Sequence, residues 1–324
     1  QECGPVIVLS PGERRELQVA VSDDPRVPEW GWEEQVLLVS SEHGAPVRLR
    51  FVTTRHSEDY TTTLREADID EVRYNIEHYE WARQSFARRR RQAQEWIVPT
   101  VDPSLGYLFV TRNAEEADNC ALVYLVTGEM HFAEKVAAFM REFSDPERGY
   151  GTVPRAGNQE LVHEGLFFLH TAYAFDHIKR TGLLSAEEVT RTQEAFRFFM
   201  EIIRKETMRG KISNWNLSEL VGAVACAAAM EDLSEIGYFL TCPSGIHDHI
   251  SKGIVDDGWW FEASIGYNLL AMGLFLQVAS VVDKWGFGLA QLELPASYAR
   301  TTSVAEALIA SDDRIDGLST QIWG

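Results

Sequence analysis

The sequence is short of cysteine and of positive charge, and it lacks the compact signatures of several common chemistries. Its four cysteines form no CxxC pair and no Cys/His ligand spacing, which argues against a disulfide framework and against a structural zinc site in a chain of 324 residues. Cys120 and Cys226 sit among Ala, Leu and Val, where a free thiol is a small buried hydrophobe, and Cys3 and Cys242 fall in loop-like sequence. There is no GxSxG, no P-loop, no HExxH, and no glycine-rich dinucleotide fingerprint behind a strand. No uninterrupted run of eighteen apolar residues occurs, so no membrane span is expected. Lys and Arg total 30 against 49 Asp and Glu, and a net charge of −19 argues against a nucleic-acid partner. The one dense basic run, RRRRQ from Arg88 to Gln92, lies in helical sequence and reads as a solvated face. A polyanion would need a locally basic cleft. HDH at 247–249, with Asp256 and Asp257 nearby, fixes no third ligand, so neither a metal nor another cofactor is expected.

What is present is ordinary for a globular protein: 45% hydrophobic and 24% charged residues, enough for one large domain or one domain with a small neighbour. The chain begins at Gln1 with neither Met nor a signal-peptide pattern, which suggests a processed start or a fragment. The period of the pattern changes near residue 63. Before it, PVIVLS, RELQVAVS, EQVLLVSS and VRLRFVTT are short, β-branched and bounded by Gly, Pro, Ser and Asp, which predicts a small antiparallel β module over residues 1–63. After it, apolar residues recur at three and four. EADIDEVRYNIEHYEWARQSFARRRRQAQEW, NAEEADNCALVYLVTGE, HFAEKVAAFMREF, NQELVHEGLFFLHTAYAFDHIKR, SAEEVTRTQEAFRFFMEIIRKE, NLSELVGAVACAAAMED and SEIGYFLTCP are each closed by a short polar or glycine break. Serial helical hairpins without a strict repeat predict a mainly α domain over residues 64–324, an incomplete (α/α) toroid. A further helix is expected around TSVAEALIAS.

Chemistry is expected in three places. In SNWNLSE, Asn216 followed by Glu219 has the spacing of a capping box, which gives Asn216 a structural role. Asn214 then stands one step outside the helix with its amide free. Trp215 beside it suits a sugar face, and the amide offers a donor and an acceptor. In GNQELVHEGLFFLHTAYAFDHI, Gln159, His163 and His170 share one helical face, the spacing also of an ordinary amphipathic stripe. In DDGWWFEASIGYNLLAMGLFLQVASVV, residues 256–282 read as one long apolar helix that opens with polar and aromatic residues and carries Tyr267 about one turn inside. A core tyrosine with its hydroxyl satisfied is the plain reading of Tyr267 by itself.

Taken together, HDHISKGIVDDGWWFEASIGYNLLAMGLF resembles the signature of the heparinase II/III-like polysaccharide lyases, and SNWNLSE resembles their upstream asparagine element. ADNCALVYLVTGEMHFAEKVAAF resembles their helical hairpin, and the likeness covers roughly residues 66–285. These lyases usually continue into a large C-terminal antiparallel β domain, for which this chain has no room. The resemblance implies an α/α toroid that cleaves a uronic-acid polymer, such as a glycosaminoglycan, alginate or a glucuronan, by β-elimination. Tyr267 would be the base and the acid. Asn214 would neutralise the carboxylate on C5. A free tyrosine has a pKa of about 10, so a cation such as His247, His163 or an arginine would have to assist it. Trp215, Trp259 and Trp260 would be sugar platforms, with Gln159, His163, Asn216, His247 and Glu262 as further substrate contacts. The expected partner is an anionic polysaccharide, with no nucleic acid and no membrane. Two rivals remain at this point: a glycoside hydrolase on a similar toroid, using two carboxylates, and a non-catalytic carbohydrate-binding protein.

Overall fold

The computed structural model describes residues 31–41, 44–55, 60–102, 104, 109–151, 161–207, 209–256, 258–285 and 287. The chain divides after His56 into two compact units. In the first, strands β1 (Gly31–Ser41) and β2 (Gly44–Arg55) pair antiparallel, with Trp32 opposite Thr54 and Val39 opposite Val47. They contain two of the four strand-like stretches. PVIVLS and RELQVAVS lie outside the described residues, as does the helix expected around TSVAEALIAS.

The described part of the second unit is mainly helical. In chain order its helices are α1 (Glu66–His78), α2 (Glu80–Glu95), α3 (Thr111–Thr127), α4 (Met130–Phe143), α5 (Leu161–Ile178), α6 (Ala186–Thr207), α7 (Asn214–Ala229), α8 (Leu233–Thr241), α9 (Ile246–Gly253) and α10 (Ile265–Lys284). Local chemistry sets several of the ends. Before α6, the Ser185 N–H donates to Glu188 Oε2 at 2.7 Å and the Glu188 N–H donates to Ser185 Oγ at 3.2 Å, a reciprocal box. Asp232 caps α8 by accepting from the Glu235 N–H at 3.1 Å. Gly128 ends α3 at φ 74°, a left-handed position that glycine adopts without penalty. The stretch expected as one element over 66–96 is two helices, because Tyr79 is extended at φ −118°, ψ 129°.

Helices α3, α5, α7 and α10 run parallel as an inner row, and α4, α6 and α8 return against it. The contacts give the direction. Thr111 Oγ1 donates to the His163 carbonyl at 3.0 Å where α3 and α5 begin, and His170 Nδ1 lies 2.9 Å from Asp118 Oδ2 two turns further along both. Between α5 and α7, Gly165 faces Ser218 near the start of each helix, and Lys179 Nζ reaches the Ala229 carbonyl at 2.8 Å near their ends. The core of the unit is aromatic: Phe139, Phe143, Phe167, Phe168, Phe175, Phe196 and Phe199 are all fully buried, and Phe168 stacks on Phe199 at 3.9 Å.

The crossing of α5 and α7 is tight because two glycines face each other. A Cβ on Gly165 would stand 2.4 Å from the Ser218 carbonyl oxygen, and one on Gly222 would stand 2.4 Å from the Gly165 carbonyl oxygen. Backbone cannot yield as a flexible side chain can, so Gly165→Ala is expected to cost about 1–3 kcal/mol. Gly273→Ala on α10 is the control: its Cβ would meet nothing within 4 Å, and alanine is the better helix former by about 0.5–1 kcal/mol. Urea midpoints of the two variants should therefore move in opposite directions.

At the far end of the row, the segment 60–64 locks the helix C-termini. Asp176 on α5 is 1% exposed and accepts from the Thr61 and Thr62 amides at 2.8 Å each and from their hydroxyls at 2.6 and 2.8 Å. Lys179 pairs with Asp176 at 3.0 Å. The buried Lys284 ammonium, on the last turn of α10, donates to the Tyr60 and Leu64 carbonyls. Trp285 Nε1 donates to the Thr61 carbonyl at 2.9 Å.

α10 is long and apolar enough to cross a membrane by length and composition, with a mean hydropathy of 1.7 over its most apolar window, although polar residues such as Asn268 and Gln277 interrupt its apolar run. It packs on α7, with Ala271, Leu274, Phe275, Val278, Val281 and Val282 buried, as a core helix does.

Candidate active site

The first turns of the parallel inner helices lie at one end of the row, and they carry three of the expected site residues. His163 is exposed in the first turn of α5, Asn214 is the first residue of α7, and Tyr267 lies in the first turn of α10. Three helix N-termini there present the positive ends of their dipoles, an environment that favours an anion.

The start of α7 differs from the sequence expectation. Its N-cap is Ser213, not Asn216: the Ser213 backbone is extended at φ −165°, ψ 158°, and its Oγ accepts from the Asn216 N–H at 3.2 Å and donates to Asn216 Oδ1 at 2.8 Å. Asn216 is thus the third helical residue, 7% exposed, with its side chain spent on the cap and not on a substrate. Asn214 is inside the helix and only 3% exposed, yet its amide makes no hydrogen bond to a described residue. Trp215 beside it is 41% exposed, with Lys211 Nζ 5.6 Å from the ring centre, which makes this a cationic aromatic surface.

The start of α10 is also corrected. The helix begins at Ile265, so Trp259, Trp260 and Glu262 precede it in a tight loop. That loop is closed by an antiparallel bridge between Ile254 and Trp260 and turns at Gly258 (φ 89°) and Ala263 (φ 55°). Trp260 is 1% exposed, so it is no sugar platform. It packs against Gly253, where any Cβ would meet the indole at 2.3 Å. Its backbone N–H donates to Asn268 Oδ1 at 2.8 Å, and its Nε1 donates to Glu262 Oε2 at 2.6 Å. Glu262 is therefore engaged in holding Trp260. Trp259 is half-buried. Tyr267 is 48% exposed, and its hydroxyl makes no hydrogen bond among the described residues. That departs from the plain expectation of a satisfied core tyrosine.

The two starts are connected. His249 on α9 is fully buried and lies between Ser213 and Trp260: its Nε2 is 3.5 Å from the Ser213 N–H nitrogen, and its ring is parallel to Trp260 with centroids 6.4 Å apart. The sequence offered His249 only as half of an HDH triplet; the one signal was its spacing of four residues from Gly245, one helical turn.

Among the other expected residues, Gln159 lies outside the described residues. His247 is half-buried, and its Nε2 has no hydrogen-bond partner among them. Burial pushes the His247 pKa down against the pull of Asp248, so it is a neutral ring at pH 7 and a poor candidate for the assisting cation. His170 behaves oppositely: burial lowers its pKa, but the hydrogen bond and charge of Asp118 outweigh this and raise it. His170 is thus turned towards α3, away from the role of a free face-mate of His163. No group of three or more His, Cys, Asp or Glu side chains suited to a metal ion occurs among the described residues. No protein-family model matches the chain, and no curated protein matches it either.

Proposed function

We propose that this chain is a polysaccharide lyase that cleaves a uronic-acid-containing polymer by β-elimination, on an (α/α) toroid to which the parallel row belongs and which follows a small β module in the sequence. One observation carries the reading. An amide and a half-exposed hydroxyl without a hydrogen-bond partner among the described residues, those of Asn214 and Tyr267, occupy the first turns of adjacent parallel helices at the same end of the unit. The resemblance to the heparinase II/III-like lyases includes both of these stretches.

In the proposed reaction the uronate carboxylate lies against the helix starts, where the Asn214 amide donates to it and the dipoles favour the charge that builds there. Deprotonated Tyr267 takes the C5 proton. The C5–H electron pair becomes the C4–C5 double bond, the C4–O4 bond breaks, and the departing O4 takes a proton back from the phenol. Trp215 and Lys211 flank Asn214 and suit a sugar ring and its carboxylate.

The test is absorbance of the conjugated unsaturated uronate during incubation with a panel of uronate polymers. Asn214→Ala is expected to lower turnover roughly 10²–10³-fold, the range for removing one preorganised donor. Ser213→Ala should instead cost about 1 kcal/mol of stability through the lost cap and change turnover only a few-fold. The reverse pattern would overturn the roles. A glycoside hydrolase would release sugar without the absorbance, and a binding protein would retain oligosaccharide without cutting it.

A further inference from the structure

We propose that His249 is a positioning residue that couples the turn carrying Asn214 to the turn carrying Tyr267, so that the two reacting groups are held, and released, together. The effect on turnover rests on the lyase reading; the coupling itself does not.

His249 Nδ1 lies 2.9 Å from the Gly245 carbonyl, which can only accept, so Nδ1 carries the hydrogen. Nε2 is then a lone-pair acceptor, and it faces the Ser213 N–H. Ser213 is the cap of α7 and immediately precedes Asn214. On its other side the ring lies parallel to Trp260, with 7° between the planes. Trp260 is locked by Glu262, by the Gly253 backbone and by Asn268, which immediately follows Tyr267. The path Ser213–His249–Trp260–Asn268 therefore joins residues adjacent in sequence to each of the two proposed reacting groups.

A second proton on the ring would set N–H against N–H at Ser213. Burial is the largest influence on His249 and lowers its pKa; the Gly245, Ser213 and Ser244 backbone groups and the Asp248 carboxylate act in the opposite direction. Asp248 itself is held by Lys252 at 2.7 Å and by the Ser244 N–H at 2.8 Å, and the ring also faces the uncharged Trp260 and the Ser213 cap of α7. The neutral ring is thus the form the fold accepts. A depressed pKa contributes stability that is complete above the unfolded value of about 6.5 and is lost as pH falls through the folded one.

Hydrogen exchange of the full chain reads the coupling without substrate. In His249→Phe, segments 213–218 and 260–268 should both lose protection by about tenfold or more, while the α5 core around 167–175 stays unchanged. Loosening of only one segment, or of neither, would overturn the proposal. If His249→Phe does not fold, His249→Gln, whose amide can accept from Ser213 but cannot titrate, keeps the question open to measurement. After correction for intrinsic exchange, both segments should loosen more in wild type than in His249→Gln between about pH 7.5 and 5.5, beyond the acid response that the α5 core shows in both; equal acid responses would overturn it. In the elimination assay the Phe variant should lose about tenfold in kcat with KM within about threefold. If both segments loosen together in a chain that never eliminates, the lyase reading fails and the coupling stands.

Discussion

Replacing Tyr267 by phenylalanine should abolish elimination, with turnover falling roughly 10²–10⁴-fold, the usual contribution of a positioned acid–base group. The change removes one oxygen atom. That oxygen makes no hydrogen bond to a described residue and its side chain is 48% exposed, so stability should move by no more than about 0.5 kcal/mol. Oligosaccharide affinity should survive as well, because Trp215, Lys211 and the helix starts are untouched. The measurement therefore has two halves: ultraviolet product formation on the best polymer of the panel, and ligand binding by calorimetry on the same preparation. Loss of both together would mean that Tyr267 binds substrate and moves no proton. Retention of both would remove the tyrosine from the mechanism.

Replacing Asp176 by alanine is expected to cost about 3–5 kcal/mol, because it takes one of two carboxylates from Lys179 and leaves several buried donors without their acceptor. Lys179 would lose the nearer of its two carboxylates, at 3.0 Å, and keep Glu231 at 3.2 Å, while the amides and hydroxyls of Thr61 and Thr62 would lose their common acceptor. In a unit of this size the melting temperature should fall by about 10 °C or more. The acid response follows from the same site. Burial raises the pKa of Asp176, but Lys179 above all, with His177, Thr61 and a hydrogen bond from Lys179, outweighs it and holds the carboxyl down to about 2. A lowered pKa contributes stability that is present above the unfolded value of about 4 and is lost as pH falls from there through about 2. The wild type should therefore lose about 2 kcal/mol across that window, and Asp176→Asn should lose much less there. His177, buried and with its pKa lowered chiefly by burial, adds an acid sensitivity that begins higher, below about pH 6.5, and both proteins share it.

The helices were legible because their evidence is local. Apolar recurrence at three and four located α3, α5, α6 and α7 to within a few residues, and a polar or glycine break marks most of their ends. Boundaries failed where two residues compete for one role. Ser213 and Asn216 are both good caps three positions apart, and only the extended backbone of Ser213 decides between them. The start of α10 was misplaced for a related reason. GWWFEAS has the composition of an amphipathic turn, but left-handed conformations at Gly258 and Ala263 fold it into a loop before the helix begins.

By itself, the sequence determined the helical class and the positions of most helices. Periodicity, capping preference and side-chain type act over a few residues, and each can be read in place. Only the tertiary structure decided which of those side chains are available. Trp260 is buried because Gly253 leaves space for its ring, Glu262 is occupied by that indole, and His249 lies between two helix starts. Those assignments depend on contacts between residues tens of positions apart, and such contacts are set by packing, which no local pattern encodes.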